Sequence, residues 1–260
     1  MNKKEIIEGP LMRGLAALMF FTRLPFWRVT NVPAEHFKRV VPLWPLAGWL
    51  TGGIMTGVLW LCAQCFPLSV AWMLAIISRL LVTGCLHEDG LADFCDGFGG
   101  GTTRERVLSI MKDSHIGTYG VIGLIGYFLL FTQASAIRLP ILIKLVIVGD
   151  AWSKMCAAHI INFLPYCRNA EEAKIHTIYE RMTSKEWGAC IVFGLLPAIL
   201  FLPYELYPAL LAPMAATALL MLLMKRRIGG YTGDCCGATF LISELSFYLV
   251  SLAIVFSYYL

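Results

Sequence analysis

Seven long apolar runs dominate this 260-residue sequence, at about 46–66, 68–86, 117–137, 141–163, 187–203, 206–224 and 238–260. Runs of that length read as membrane-spanning helices, because only a helix satisfies its own backbone in lipid. Composition agrees: 58% of residues are hydrophobic and only 15% are charged, with a mean hydropathy of +0.70. A soluble domain carries about a quarter charged residues, so a chain this apolar cannot cover a water-facing surface. An ordinary soluble globule, a disordered chain and a nucleic-acid-binding module are excluded. The net charge of +4 is too small for a phosphate-backbone binder. No internal repeat and no linker divides the chain, which is read as one domain over residues 1–260. The expected fold is an all-α polytopic membrane bundle of about seven transmembrane helices. Leu11–Leu24 is apolar but short, and is expected to form an amino-terminal interfacial or re-entrant helix. No small-residue cleavage site precedes Arg23-Leu24-Pro25, so the amino terminus is read as retained.

Cations fix the orientation. With seven crossings, seventeen of the 21 Lys and Arg residues fall on the side of the amino terminus, only Arg138 falls on the other, and Arg79, Lys144 and Lys154 lie within helices. That bias places the amino terminus inside and the carboxyl terminus outside. Small residues recur at helix-packing intervals: Gly48/Gly52, Gly53/Gly57, and Gly117, Gly120, Gly123 and Gly126. They are expected at close helix contacts. The nine cysteines show no framework, and Cys62 and Cys65 are read as packing residues.

Acidic residues concentrate directly after the second run, in His87-Glu88-Asp89-Gly90-Leu91-Ala92-Asp93-Phe94-Cys95-Asp96-Gly97. Asp89, Asp93 and Asp96 stand at i, i+4 and i+7, within about 60° of one another on a helix. Three carboxylates on one face repel one another unless a cation lies between them. Their apolar flanks at a membrane edge argue against a merely solvated face. Oxygen-rich clusters suit Mg²⁺, which also takes phosphate oxygens. His87 adjoins them and is the candidate base. On one unbroken helix it lies nearly opposite Asp89. Glu88 points about 100° from Asp89 and is expected to matter little.

Gly97–Gly101 then reads either as a phosphate cradle or as a plain turn. Arg104, Arg106, Lys112, Asp113, Ser114 and His115 follow, with Thr103 as a helix cap. These cations suit a diphosphate, or are the usual basic flank of an inner loop. A third polar island, Lys225–Ala238, includes Arg227, Thr232, Gly233 and Asp234 and falls on the same side. Glu244, inside the last run, is a functional candidate because an intramembrane carboxylate is costly. Asp150 and Lys154 are read as an i, i+4 pair.

The acidic segment resembles the signature of the cobalamin synthase family. Ile110-Met111-Lys112-Asp113-Ser114-His115-Ile116-Gly117 is similar to that family's next block, and Gly229-Gly230-Tyr231-Thr232-Gly233-Asp234 with Gly237-Ala238 to its third. Phe20-Phe21-Thr22-Arg23-Leu24-Pro25 and Pro45-Leu46-Ala47-Gly48 match the amino-terminal blocks, so the resemblance runs from Phe20 to Glu244. Cys235-Cys236 departs from the usual hydrophobic neighbour of Gly237. The resemblance implies a Mg²⁺-dependent enzyme of the bacterial inner membrane whose active site faces the cytoplasm. It implies transfer of adenosylcobinamide phosphate from adenosylcobinamide-GDP to α-ribazole or its 5′-phosphate, with release of GMP, late in vitamin B12 assembly. Its partners are these small molecules and the lipid bilayer, with no nucleic acid; a homo-oligomer is compatible with it. On this reading Asp89, Asp93, Asp96 and Asp234 ligate metal, and Asp96 or His87 takes the hydroxyl proton. Arg23, Arg106, Lys112 and Arg227 hold phosphates, and Asp113, Ser114, Thr232, Gly233 and Glu244 complete the substrate site. Two rival readings are a CDP-alcohol phosphotransferase, whose D-G-x-x-A-R opening is absent here, and an ion-coupled transporter, which needs its carboxylates near mid-span.

Overall fold

The computed structural model describes residues 3–167 and 179–258; Arg168, Lys174 and His176 lie outside them. Among the described residues the chain forms α1 (Lys3–Phe21), α2 (Ala34–Phe37), α3 (Trp44–Cys62), α4 (Leu68–Thr83), α5 (Leu86–Gly100) and α6 (Arg104–Ile110). It continues as α7 (Thr118–Thr132), α8 (Leu139–Ala158), α9 (Ile160–Phe163), α10 (Ser184–Phe201), α11 (Leu211–Ile228) and α12 (Gly233–Tyr258). The only extended pairing among the described residues is an isolated bridge between Tyr166 and Tyr231.

The seven apolar runs all become helix, as expected of an all-α membrane bundle. Among the described residues, five segments are long and apolar enough to cross a membrane: Val41–Cys62, Thr118–Ala136, Ser184–Phe201, Tyr204–Ile228 and Gly233–Tyr258. A sixth crossing exists if α4 and α5, bent by 91°, form one broken span. The remaining run is α8, which carries Lys144, Asp150 and Lys154 and buries most of its length against α3, α10 and α12. Outward faces of the other helices remain apolar and exposed, including Ile122, Leu129, Val192, Ile199, Leu219 and Leu222. A bilayer is the environment that covers such a belt.

Close packing accounts for part of the glycine pattern. A Cβ on Gly48 would stand 2.9 Å from Ala151 Cα, and one on Gly52 3.2 Å from the Val146 carbonyl, so these two seat α3 against α8. Gly53, Gly57 and Gly126 face open space, contrary to expectation. Gly120 and Gly123 pack against Asp96 and Cys95 of α5. The Gly97–Gly101 stretch is corrected too: through Gly100 it is helical, and Gly97 and Gly99 lie against Met111 and Tyr119. Glycine there admits neighbouring side chains.

Charged groups inside the bundle are paired. Arg79 of α4 reaches both carboxylate oxygens of Glu244 on α12 at 2.6 Å and donates to the Tyr127 hydroxyl at 2.9 Å. Lys154 bonds Asp150, as the i, i+4 spacing predicts, and Thr51 donates to the other Asp150 oxygen at 2.8 Å. A buried charge with its partner in place is tolerable; an unpaired one is not.

Candidate active site

The break between α4 and α5 creates the site. Gly84 (φ 65°) and Cys85 (φ 57°) both take the left-handed conformation, and α5 starts anew at a steep angle. That turn swings Leu86, His87 and Asp89 to the end of the bundle where α1 stops and α3 and α12 begin. They line a cavity of about 260 Å³ together with Phe20, Phe21, Trp44, Lys154, Tyr179, Gly233, Asp234 and Phe240. Two close approaches hold its floor. A Cβ on Gly90 would lie 3.0 Å from the Asp234 carbonyl, and one on Gly237 3.3 Å from His87 Cα. Glycines at those positions let α5 and the first turn of α12 touch. The loop before α12 is fixed in turn by Tyr231, whose N–H donates to the Pro165 carbonyl and whose carbonyl accepts from the Cys167 N–H, both at 2.9 Å.

Asp89 is exposed at this cavity, and Asp234 is half-buried. Thr232, fully buried, donates its hydroxyl proton toward Asp234 and accepts from the Cys235 N–H at 3.4 Å, which caps α12. Thr232 therefore positions Asp234, and Gly233 leaves the cavity wall open. His87 is 4% exposed, lies between the rings of Phe21 and Phe240, and has no hydrogen-bond partner on either ring nitrogen. The break in the helix is what brings it to the cavity with Asp89.

Further along α5 the acidic face serves a second place. Asp96 accepts the N–H of Gly117 at 2.7 Å and that of Gly120 at 2.8 Å, holding the first turn of α7. It borders a shallower polar cavity lined by Arg106, Ser109, Asp113, His115 and Gly117. Asp93 lies half-buried on the helix between the two. His115 donates to Asp113 at 2.7 Å, and this hydrogen bond holds the Asp113 carboxyl below its ordinary range. Lys112 and Ser114 are exposed nearby. Thr103 caps α6 as expected, accepting from the Arg106 N–H.

Other candidate residues find different employment. Arg227 donates to the carbonyls of Phe98 and Gly101, and Arg104 to that of Ile228, so the end of α11 is tied to the end of α5 and to the start of α6. Arg23 lies exposed across Gly84 at the helix break. Glu244 is buried against Arg79 and does not border either cavity. Glu88 is 5% exposed and stands 4.0 Å from Arg79. The sequence reading passed over Arg79 and the aromatic wall. A lone cation in one apolar run and a lone carboxylate, Glu244, in another were the available sign that these two pair.

The expected Mg²⁺ can be weighed against this arrangement. Among the described residues, no three His, Cys, Asp or Glu side chains converge closely enough to hold a metal unaided. Asp89 and Asp234 nevertheless border one cavity. One or two carboxylates plus substrate phosphates and water are how Mg²⁺ is commonly bound. This donor set fits that manner of binding, whereas the Asp96 oxygens are already engaged by backbone N–H groups.

Comparison with known proteins agrees with the motifs. The family model described as cobalamin-5-phosphate synthase matches residues 13–252. A protein of Leptothrix cholodnii named adenosylcobinamide-GDP ribazoletransferase is 36% identical, over 91% of this chain and 93% of its own length. A relative of the same name from a Shewanella species is 35% identical over 98% of each chain, and one from Vibrio cholerae 32% identical over 95% and 96%. No solved structure matches this chain. With the acidic helix, the capped first turn of α12 and a family match over nearly the full length in agreement, the chain belongs to the cobalamin-5-phosphate synthase family.

Proposed function

We propose that this chain transfers the adenosylcobinamide phosphate group from adenosylcobinamide-GDP to a ribose hydroxyl of α-ribazole or its 5′-phosphate, releasing GMP. The observation that carries the reading is the meeting of Asp89 and Asp234 at the mouth of an aromatic cavity that also contains an unpartnered histidine. Phosphoryl transfer asks chiefly for positioning and charge neutralisation, which such a site supplies. When bound between Asp89, Asp234 and the diphosphate, Mg²⁺ would neutralise phosphate charge and ease departure of the leaving group.

The chain's own residues do the rest. The acceptor oxygen forms a bond to the cobinamide-side phosphorus, the bond from that phosphorus to the bridging oxygen breaks, and GMP leaves with that oxygen. His87 takes the hydroxyl proton, since both its ring nitrogens are free of competing bonds. Asp96 is committed to α7 and serves as a positioning residue. Arg106 in the second cavity is placed to hold phosphate or nucleotide groups that extend along α5. The excess of cations at this end of the bundle supports an active site facing the cytoplasm, with the chain in the bacterial inner membrane. The interior carboxylates Asp150 and Glu244 are bound to Lys154 and Arg79, which disfavours the transporter reading.

Detergent-purified protein supplied with adenosylcobinamide-GDP, α-ribazole and Mg²⁺ should release GMP in step with a new corrinoid product. GMP release independent of α-ribazole would mean hydrolysis and would overturn the transferase reading.

A further inference from the structure

Phosphate chemistry gives no reason for the wall of the first cavity, which is built largely from Phe20, Phe21, Trp44, Tyr166, Tyr179 and Phe240. Trp44 meets Phe21 edge-on at 5.5 Å and Tyr179 at 5.6 Å, and Phe20 meets Tyr179 edge-on at 5.8 Å. Rings held edge-to-face lock one another and leave faces available to a flat guest. Polar atoms in the wall are few and deep. His87 is 4% exposed and unpartnered. Lys154, 1% exposed, bonds Asp150 and Thr51, and its ammonium lies 3.9 Å over the centre of the Phe240 ring. An unpaired buried polar group is costly, so the two His87 ring nitrogens mark a place where a ligand completes the bonding. Asp89 stands exposed at this cavity, whereas His87 and Lys154 are buried in its wall.

Resting on the transferase reading above, we propose that this cavity is the acceptor subsite and takes the aromatic base of α-ribazole inward. Its ribose then faces His87 and the two carboxylates. Three features of the ligands select this one. A neutral benzimidazole is flat and apolar and has one free ring nitrogen, for which Lys154 is the donor at hand. Guanine carries polar atoms around its whole edge and would leave most of them unpaired against this wall. A corrin bearing a nucleotide is far too large for about 260 Å³, so the donor substrate remains outside, along the acidic face of α5. The cavity therefore selects the acceptor by its base and not by its phosphate, which leaves room for α-ribazole with or without the 5′-phosphate.

Two measurements on the full-length protein test this. In the wild type, the free base 5,6-dimethylbenzimidazole should inhibit GMP release competitively against α-ribazole and not against adenosylcobinamide-GDP. In Phe20→Leu and Tyr179→Leu, which keep most of the side-chain volume, KM for α-ribazole should rise about five- to tenfold, the worth of one aromatic contact. KM for adenosylcobinamide-GDP should stay within about twofold in both, which also shows that the variants are folded. Competition between the free base and adenosylcobinamide-GDP, or variants that raise only the donor KM, would overturn the subsite. Should a variant fail to fold, the wild-type inhibition pattern decides alone. Failure of the wild type to release GMP at all would instead overturn the transferase reading.

Discussion

Asp96 on α5 holds Gly120 on α7: one carboxylate oxygen accepts the Gly120 N–H at 2.8 Å while the other accepts the Gly117 N–H at 2.7 Å. The charge thus sits at the positive end of a membrane helix and satisfies two of its orphan donors. In Asp96→Asn an amide NH₂ replaces one acceptor and meets an N–H group. The expected cost is about 1–3 kcal/mol of stability, seen as a lowered unfolding temperature in detergent. Asp89→Asn, at an exposed position, should leave that temperature unchanged.

A second ordering concerns the interior charges. Glu244→Gln removes the carboxylate that pairs with Arg79 and leaves a cation buried in the bundle. A loss of about 3–5 kcal/mol is expected, read as poor yield or a large drop in unfolding temperature. Glu88→Gln removes a carboxylate that has no hydrogen bond and stands 4.0 Å from the same guanidinium. Its effect should be clearly smaller. Equal damage from the two would mean that Arg79 depends on both.

The two overlapping small-residue pairs of α3 should separate cleanly. Gly48→Ala drives a methyl group into the α8 backbone and should cost about 1–3 kcal/mol. Gly57→Ala meets nothing within 4 Å and should be neutral or slightly stabilising. Thermal unfolding of the two variants side by side checks the register of α3 on α8.

Orientation gives a fourth expectation. A reporter fused after Leu260 should be periplasmic, and one inserted at Lys185, before α10 crosses, should be cytoplasmic. A cytoplasmic carboxyl terminus would contradict the crossing order.

Helix positions were legible in the sequence because lipid demands long apolar helices and leaves little else to decide. The i, i+4, i+7 spacing of Asp89, Asp93 and Asp96 correctly announced a helix. It could not announce that the face is shared between two cavities, because that depends on where α7 and α12 begin. The last apolar run begins near residue 238, yet α12 starts at Gly233, since Thr232 caps it and carries Asp234 into its first turn. The 91° break was hidden for a related reason: Gly84 is compatible with a turn, but a cysteine in the left-handed conformation has no sequence signature. Without the break, His87 falls on the wrong side of its helix. The setting of Glu88 was not legible, because an angle on a helical wheel says nothing of what lies on the far side, which here is Arg79. The aromatic wall was unreadable because Phe20, Trp44, Tyr179 and Phe240 come from four separate parts of the chain.

In the proposed mechanism Asp89 and Asp234 together hold the metal against the diphosphate. The most direct test is the Mg²⁺ dependence of GMP release in the wild type, Asp89→Asn and Asp234→Asn. Chelation should abolish wild-type turnover, and both variants should need about ten times more Mg²⁺ or beyond for half-maximal rate, with part of the rate recovered at high Mg²⁺. Full activity of chelator-treated wild type, or an unchanged Mg²⁺ requirement in both variants, would contradict it.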